Sequence, residues 1–276
     1  MKIAVIQMTS TENKNENIKK ANHFIEEAIS QKANIIALPE NFPYLKIEGE
    51  QSPCAERLSG EIITSLTKIA KENSVTIIAG SIAEQIEGSE KTYNTCVAIN
   101  DRGELSGIYR KIHLFDVKLS SGKEYYESHY VKAGEDVVVI ESEWCKMGLA
   151  ICYDLRFPEL FRKLTNQGAK VIFIPSAFTM STGKDHWEVL LRARAIENQV
   201  YIVAPNQYGR HSKGRESYGN SLIVDPWGTV LARAQNKEEV IYCNIDLDYL
   251  TQIRNKIPSL NHDKGFMWYE SNKHQE

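Results

Sequence analysis

Short apolar runs alternate along this chain with segments of helical spacing, and few architectures accept that rhythm. Residues 3–7 read as a first strand. Between 17 and 29, Ile18, Ala21, Ile25, Ala28 and Ile29 recur at helical intervals. Ile35-Ile36-Ala37-Leu38 is a compact apolar run that stops at Pro39, which cannot donate to a sheet ladder. Residues 61–71 return to helical spacing, and 75–79 read as another buried strand. This β-α-β-α-β order predicts α/β layers, with strands buried beneath helices.

The middle of the chain changes character. Residues 93–99 and 108–109 predict strands joined around Asp101-Arg102-Gly103. The polar stretch 118–135 predicts a long loop, and a loop of that length in a compact domain is functional or mobile. Strands are expected at 137–140, 147–151, 171–174, 200–204, 221–224, 229–232 and 240–245, and helices at 156–167 and 185–198. The polar C-terminal residues read as a surface extension. No Pro/Gly/Ser-rich linker divides the chain, so one domain is predicted. Strands this numerous divide into two packed sheets.

The 276 residues carry a formal charge of −3, from 33 basic against 36 acidic side chains. That balance leaves no electrostatic footprint for nucleic acid or an anionic membrane, and neither partner is expected. No stretch approaches the ~18 apolar residues of a membrane span. The first apolar run ends at Gln7, too soon for a signal-peptide core. The cysteines, at 54, 96, 145, 152 and 243, are odd in number, widely spaced and form no C-x-x-C pair. They argue against a disulfide framework or structural zinc, and for a reducing, cytoplasmic location.

Several chemistries lack their usual carriers. No glycines stand two apart, which excludes the dinucleotide pattern G-x-G-x-x-G. The glycine pairs five apart lead into Arg215 or Asn220 where a phosphate-binding loop needs Lys. Neither G-x-S-x-G nor H-E-x-x-H occurs, and the histidines form no ligand-spaced cluster. What remains is a set of reactive side chains at predicted strand ends, where α/β sheets bind ligands. Cys152 closes the run Met147-Gly148-Leu149-Ala150-Ile151, Glu40 ends Ile35 to Pro39, and Lys111 follows Ile108-Tyr109-Arg110. Singly, each has an ordinary explanation: a buried small hydrophobe, a turn carboxylate, a surface charge. Jointly they suit acyl transfer through a thioester. A carboxylate can take the thiol proton, and an ammonium can stabilise the thiolate and later an oxyanion.

The chain resembles the nitrilase superfamily of carbon-nitrogen hydrolases. The resemblance is carried by Leu38-Pro39-Glu40, by 109–114 (Tyr-Arg-Lys-Ile-His-Leu) and by 148–159 (Gly-Leu-Ala-Ile-Cys-Tyr-Asp-Leu-Arg-Phe-Pro-Glu), and it spans nearly the whole chain. It implies a single domain over 1–265 with a C-terminal extension at 266–276. The implied fold is a four-layer αββα sandwich of two mixed sheets covered by helices. It implies a Glu40–Lys111–Cys152 triad, no metal and no organic cofactor. Cys152 would attack the carbonyl and Glu40 would shuttle the proton. Lys111 and the backbone N–H of Tyr153 would hold the oxyanion. A further family glutamate matches Glu127, which would orient Lys111 and the water.

Cys152-Tyr153-Asp154 followed by Leu155-Arg156-Phe157, and the segment 186–199, resemble the Nit-type amidase branch. Segments 215–221 and 225–230 look like its subgroup associated with deaminated glutathione. The implied reaction is hydrolysis of the ω-amide of a small 2-oxo acid. The close alternatives are an omega-amidase acting on 2-oxoglutaramate or 2-oxosuccinamate and an N-carbamoyl amidohydrolase. A catalytically silent binding scaffold is the non-enzyme alternative. An anionic amide needs a cation, for which Arg156 is the first candidate and Arg210 and Arg215 are weaker ones. A structural ion pair of Arg156 with Asp154 or Glu159 competes with that role. Tyr44 and Phe178 are candidate pocket walls, and His186 a capping or packing residue. Arg192 and Arg194 are expected in structural pairs. A homodimer or larger homo-oligomer is implied by the family.

Overall fold

The computed structural model describes residues 1–46, 52–118 and 124–264; the expected extension at 266–276 lies outside them. Strands and helices are numbered in chain order. One sheet contains β1 (Lys2–Gln7), β2 (Ile35–Ala37), β3 (Thr76–Ile78), β4 (Ile82–Gln85), β5 (Thr92–Ile99), β6 (Leu105–Arg110) and β17 (Glu239–Asn244). Its order is β17-β1-β2-β3-β5-β4, with β6 also paired to β5. The other contains β9 (Val139–Glu141), β10 (Lys146–Leu149), β11 (Val171–Phe173), β12 (Tyr201–Ala204), β15 (Leu222–Val224) and β16 (Val230–Arg233), in the order β16-β15-β12-β11-β10-β9. Two short antiparallel ribbons complete the set: β7 (Asp116–Lys118) with β8 (Glu124–Tyr126), and β13 (Tyr208–Arg210) with β14 (Glu216–Tyr218).

The side-chain period of two sorts the first sheet into two cores. Ile3, Val5, Ile35, Ala37, Ile78, Cys96 and Ala98 face the second sheet. Their neighbours Ala4, Ile6, Ile36, Ile77, Val97 and Ile99 face α1 (Lys14–Ser30) and α2 (Glu61–Asn73). The second sheet is covered in turn by α3 (Pro158–Asn166) and α4 (Met180–Asn198), whose Leu160, Phe161, Leu164, Trp187 and Leu191 are buried. The result is the expected αββα sandwich with mixed sheets. The sheets approach so closely that a Cβ at Gly107 would lie 2.2 Å from Ile140 Cγ2.

Some elements depart from the sequence expectation. Within the predicted loop at 118–135, Lys118 closes β7, β8 and a 3-10 turn at Glu127–His129 follow, and 130–135 are without helix or strand; 119–123 lie outside the described residues. Helix α4 starts at Met180 rather than 185, because Gly183 lets its first turn pack on the Tyr218 side chain. Helix α5 (Leu247–Lys256) follows an Asp246 cap whose carboxylate accepts from Asp248 and Tyr249 N–H. A single-turn α6 (Ser259–His262) follows it. Among the described residues, no helix is long and apolar enough to cross a membrane.

The parallel strands set the site. β1, β2 and β3 run parallel in one sheet, and β10, β11 and β12 in the other. The carboxyl ends of β2 and β10 deliver Glu40 and Cys152, and that of β11 delivers Ala177.

Candidate active site

Each reactive side chain leaves a strand through a turn that fixes its direction. After β2, Leu38 N–H extends the ladder to Ile78 O at 3.0 Å. The chain then turns at Glu40 because Asn41 is left-handed (φ 55°) and its N–H donates to Ser81 Oγ at 2.9 Å. Only glycine fits at position 80, where a Cβ would stand 2.1 Å from Pro39 O. Lys111 follows β6, its N–H donating to Asn94 O and its carbonyl accepting from Gly134 N–H, both at 2.9 Å.

Cys152 follows β10 with φ 45°, unusual for a residue with a Cβ. The turn is held by Asp154, which is fully buried. Its Oδ2 accepts from Ile151 N–H at 2.8 Å and Tyr109 O–H at 2.6 Å, and its Oδ1 from His113 N–H at 3.1 Å. Cys152 N–H donates across to Pro175 O at 2.9 Å. The next amide, Tyr153 N–H, lies in the first turn of the 3-10 segment Cys152–Arg156, a position where a helix start leaves amides free of its own ladder.

These turns bring Glu40, Lys111, Glu127 and Cys152 together. Lys111 Nζ donates to Glu40 Oε1 at 3.0 Å and to Glu127 Oε2 at 2.9 Å and Oε1 at 3.2 Å. Glu40 Oε2 accepts from Ala177 N–H at 2.8 Å, and Glu127 Oε2 from Phe115 N–H at 2.7 Å. Asn94 Nδ2 donates to Glu40 Oε1 at 2.9 Å and Glu127 Oε1 at 3.1 Å. The Cys152 thiol and the Glu40 carboxylate bear on each other's ionisation.

The charges settle one another. Burial works to raise the Glu40 carboxyl, but the Lys111 ammonium and bonds from Cys152, Lys111 and Asn94 outweigh it and hold the group below its ordinary range. Burial works to lower the Lys111 ammonium, but the Glu127 and Glu40 charges outweigh it and hold the group well above its ordinary value. Cys152 is pushed well up, first by burial and then by the Glu40 charge, against the opposing pull of Lys111 and Ala177 N–H. The resting site therefore holds Glu40 as a carboxylate, Lys111 as an ammonium and Cys152 as a neutral thiol.

The four groups line a cavity of about 350 Å³, with Tyr44, Tyr153, Arg156, Phe178 and Arg215 also in its wall. The Arg156 guanidinium lies over the Phe178 ring at 5.2 Å and the Tyr153 ring at 5.8 Å. Its Nη1 contacts His186 Nδ1 at 3.3 Å, so His186 is a neighbour of Arg156 and not a helix cap. The competing ion pair is not formed. Asp154 is engaged by Ile151, Tyr109 and His113, and among the described residues Arg156 has no carboxylate partner. Arg210 instead reaches Glu216 at 4.0 Å, outside the cavity. Arg192 pairs with Glu188 and Arg194 with Glu197, as expected. The turn-holding role of Asp154 and the contacts of Asn94 and the Ala177 N–H have no counterpart in the sequence expectation. Asp154 lay inside a quoted motif, whereas Asn94 on β5 and a backbone amide carry no motif signal.

A family model described as carbon-nitrogen hydrolase matches residues 2–255. A Synechocystis protein named deaminated glutathione amidase is 44% identical over 262 residues, covering 94% of this chain and 96% of that one. The omega-amidase NIT2 of Xenopus tropicalis is 40% identical over 260 residues, covering 93% and 92% respectively. The crystal structure of the C. elegans NitFhit protein superimposes with a TM-score of 0.88 at 35% identity, covering 95% of this chain, which spans 65% of that protein's length. Motifs, αββα layers and family match agree: this chain belongs to the carbon-nitrogen hydrolase family, in the Nit branch of the nitrilase superfamily.

Proposed function

We propose that the protein is a cysteine-dependent amidase that hydrolyses the ω-amide of a small 2-oxo acid, with deaminated glutathione as its first substrate. The observation that carries the chemistry is one ammonium, Lys111, held between Glu40 and Glu127 beside the Cys152 thiol. Glu40 takes the thiol proton as sulfur bonds to the amide carbon, and the carbonyl electron pair moves onto oxygen. Lys111 Nζ and Tyr153 N–H stabilise that charge by donating hydrogen bonds to the oxygen. Protonated Glu40 then gives its proton to the nitrogen as the C–N bond breaks, leaving a thioester. Water, oriented by Glu127, loses a proton to Glu40 and attacks. Collapse expels the Cys152 sulfur, which recovers the proton from Glu40.

Arg156 is the group we assign to the substrate carboxylate. It lines the cavity that holds Cys152, without a competing carboxylate among the described residues, on an aromatic bed that keeps its fork in place. Lys46 and Lys91 also line the cavity, whose volume of about 350 Å³ favours a substrate with a second, larger arm. The second reading, an omega-amidase acting on 2-oxoglutaramate, is supported by the Xenopus relative. Specificity constants measured side by side decide between them: comparable values for the two substrates would defeat the first reading and spare the class. Cys152→Ala should abolish amine release in a folded protein, and full turnover in that variant would remove the proposed nucleophile.

We read the molecule further as a homo-oligomer working in a reducing, cytoplasmic setting. Exposed Val189, Ile196, Trp227 and Ile257, and a thiol that must stay reduced to react, support this. Sedimentation as a monomer at micromolar concentration would contradict the assembly.

A further inference from the structure

Two carboxylates share one ammonium in this site, and the neutral donor opposite that ammonium is the side chain of Asn94. Lys111 Nζ, Glu40 Oε1, Asn94 Nδ2 and Glu127 Oε1 form a closed ring of alternating donors and acceptors. Its sides are 3.0, 2.9, 3.1 and 3.2 Å. Both hydrogens of one amide nitrogen are thereby used, one on each glutamate. The residue is 4% exposed, and its Oδ1 is buried without a partner among the described residues. An unpartnered buried carbonyl is destabilising, so this amide orientation needs a cause. The cause is on the other side of the group: exchanging oxygen for nitrogen would aim a third acceptor at two carboxylate oxygens.

We propose that Asn94 is a positioning residue for the hydrolysis, holding Glu127 against Glu40 across Lys111 so that Glu40 stays an ionised proton acceptor directed at Cys152. The inference rests on Glu40 being the base of the proposed reaction. The residue type follows from the task. A cation at this position would make Glu40 a poorer base, a carboxylate would repel both glutamates, and an apolar side chain would leave one ammonium to hold two charges. The amide supplies two partial positive charges and no net charge. Its strand supports the arrangement, because Asn94 O also accepts the Lys111 backbone N–H at 2.9 Å. The charged and titratable groups that bear on Glu40 are Lys111 after β6, Glu127 in the turn after β8, and Cys152 after β10.

Removing the Asn94 bond withdraws support from the ionised form of Glu40, so the loss of activity on acidification should begin at higher pH. Asn94→Ser retains one donor and Asn94→Leu none, at nearly unchanged size. For both variants and the unaltered enzyme, two pH profiles are measured: kcat/KM for the amide, and the rate of Cys152 alkylation by iodoacetamide. The second needs no substrate, because Glu40 takes the same proton as sulfur attacks the reagent. In Asn94→Leu, kcat should fall about 10–100-fold while KM moves less than about threefold. The acid limb of both profiles should move up by about half a unit or more. Asn94→Ser should fall between Asn94→Leu and the unaltered enzyme, and it carries the test if Asn94→Leu does not fold.

A purely structural role would lower the folded fraction yet leave both limbs in place for the molecules that fold; a folded variant with unmoved limbs overturns the proposal. In a Glu127→Gln background only one carboxylate needs holding, so adding Asn94→Ser should cost less than it does alone; an undiminished cost also overturns it. Failure of the underlying functional reading would look different. The unaltered enzyme would hydrolyse no ω-amide, while the alkylation profiles would still report on Asn94.

Discussion

Neighbouring residues on the same two strands build two ion-pair sites of opposite character. Arg110 and Thr95 face each other across β5 and β6, and both bind Glu84 of β4. One residue away along each strand, Lys111 and Asn94 bind Glu40 and Glu127. Successive strand residues point to opposite faces, so one step separates the sites completely. Arg110 spends its fork on one carboxylate, with Nε on Oε2 at 2.8 Å and Nη2 on Oε1 at 2.6 Å, over the Tyr93 ring. Its side chain is 39% exposed, against 2% for Lys111. The guanidinium is matched and locked. The ammonium is shared between two acids and can turn one of its three N–H groups toward an oxyanion. Charge alone does not distinguish the sites; donor geometry and water exclusion do.

Exchanging the two cation types is the strongest way to break that comparison. Lys111→Arg keeps the charge but puts a wide fork where one donor atom must serve three acceptors, and kcat should fall about 10³-fold in a variant that still folds. Retention of more than a tenth of the activity would show that charge suffices. Arg156→Ala sharpens it from the substrate side. Loss of a bidentate carboxylate contact should raise KM about 30–100-fold with kcat nearly unchanged, read from initial rates. A change confined to kcat would place Arg156 elsewhere in the reaction.

The pH profile comes next in size. Glu40 is held below its ordinary value of 4.5, so its carboxylate form survives until the pH falls below that value. Lys111 is held well above its ordinary 10.5 and stays charged until the pH exceeds it. The same signs govern stability: the Glu40 contribution is lost on acidification through its lowered value, and the Lys111 contribution on alkalinisation through its raised one. kcat/KM should therefore be flat between about pH 5.5 and 8.5 where the protein stays folded, and a limb inside that window would contradict the charge assignment. The smallest effect belongs to the other site. Arg110→Lys should leave turnover within about twofold and lower stability by about 1 kcal/mol, given its exposure, as read from denaturant melts.

The sequence was most legible where chemistry coincides with a strand end. Glu40 and Cys152 each close an apolar run and Lys111 follows a strand that ends in Arg110, and the two packed sheets follow from strand number and alternation. What escaped was tertiary. Asn94 lies within β5 and gains meaning only when chain segments 54 and 33 residues away meet its amide. Helix α5 was missed although Asp246 caps it and Leu250 and Ile253 are buried at helical spacing, because its remaining face is polar. The β13–β14 ribbon has strands too short to show periodicity.

The left-handed backbone at Cys152 sets one contribution to stability against the residue that the proposed reaction needs. A side chain in that conformation is strained by about 1 kcal/mol, and glycine would relieve the strain. On the proposed mechanism a Cys152→Gly protein is inert yet freed of that strain, so at this position selection for thermal resistance and selection for turnover pull apart. Stabilising designs on this scaffold should therefore leave the elbow untouched and look for their gains in the outer helices.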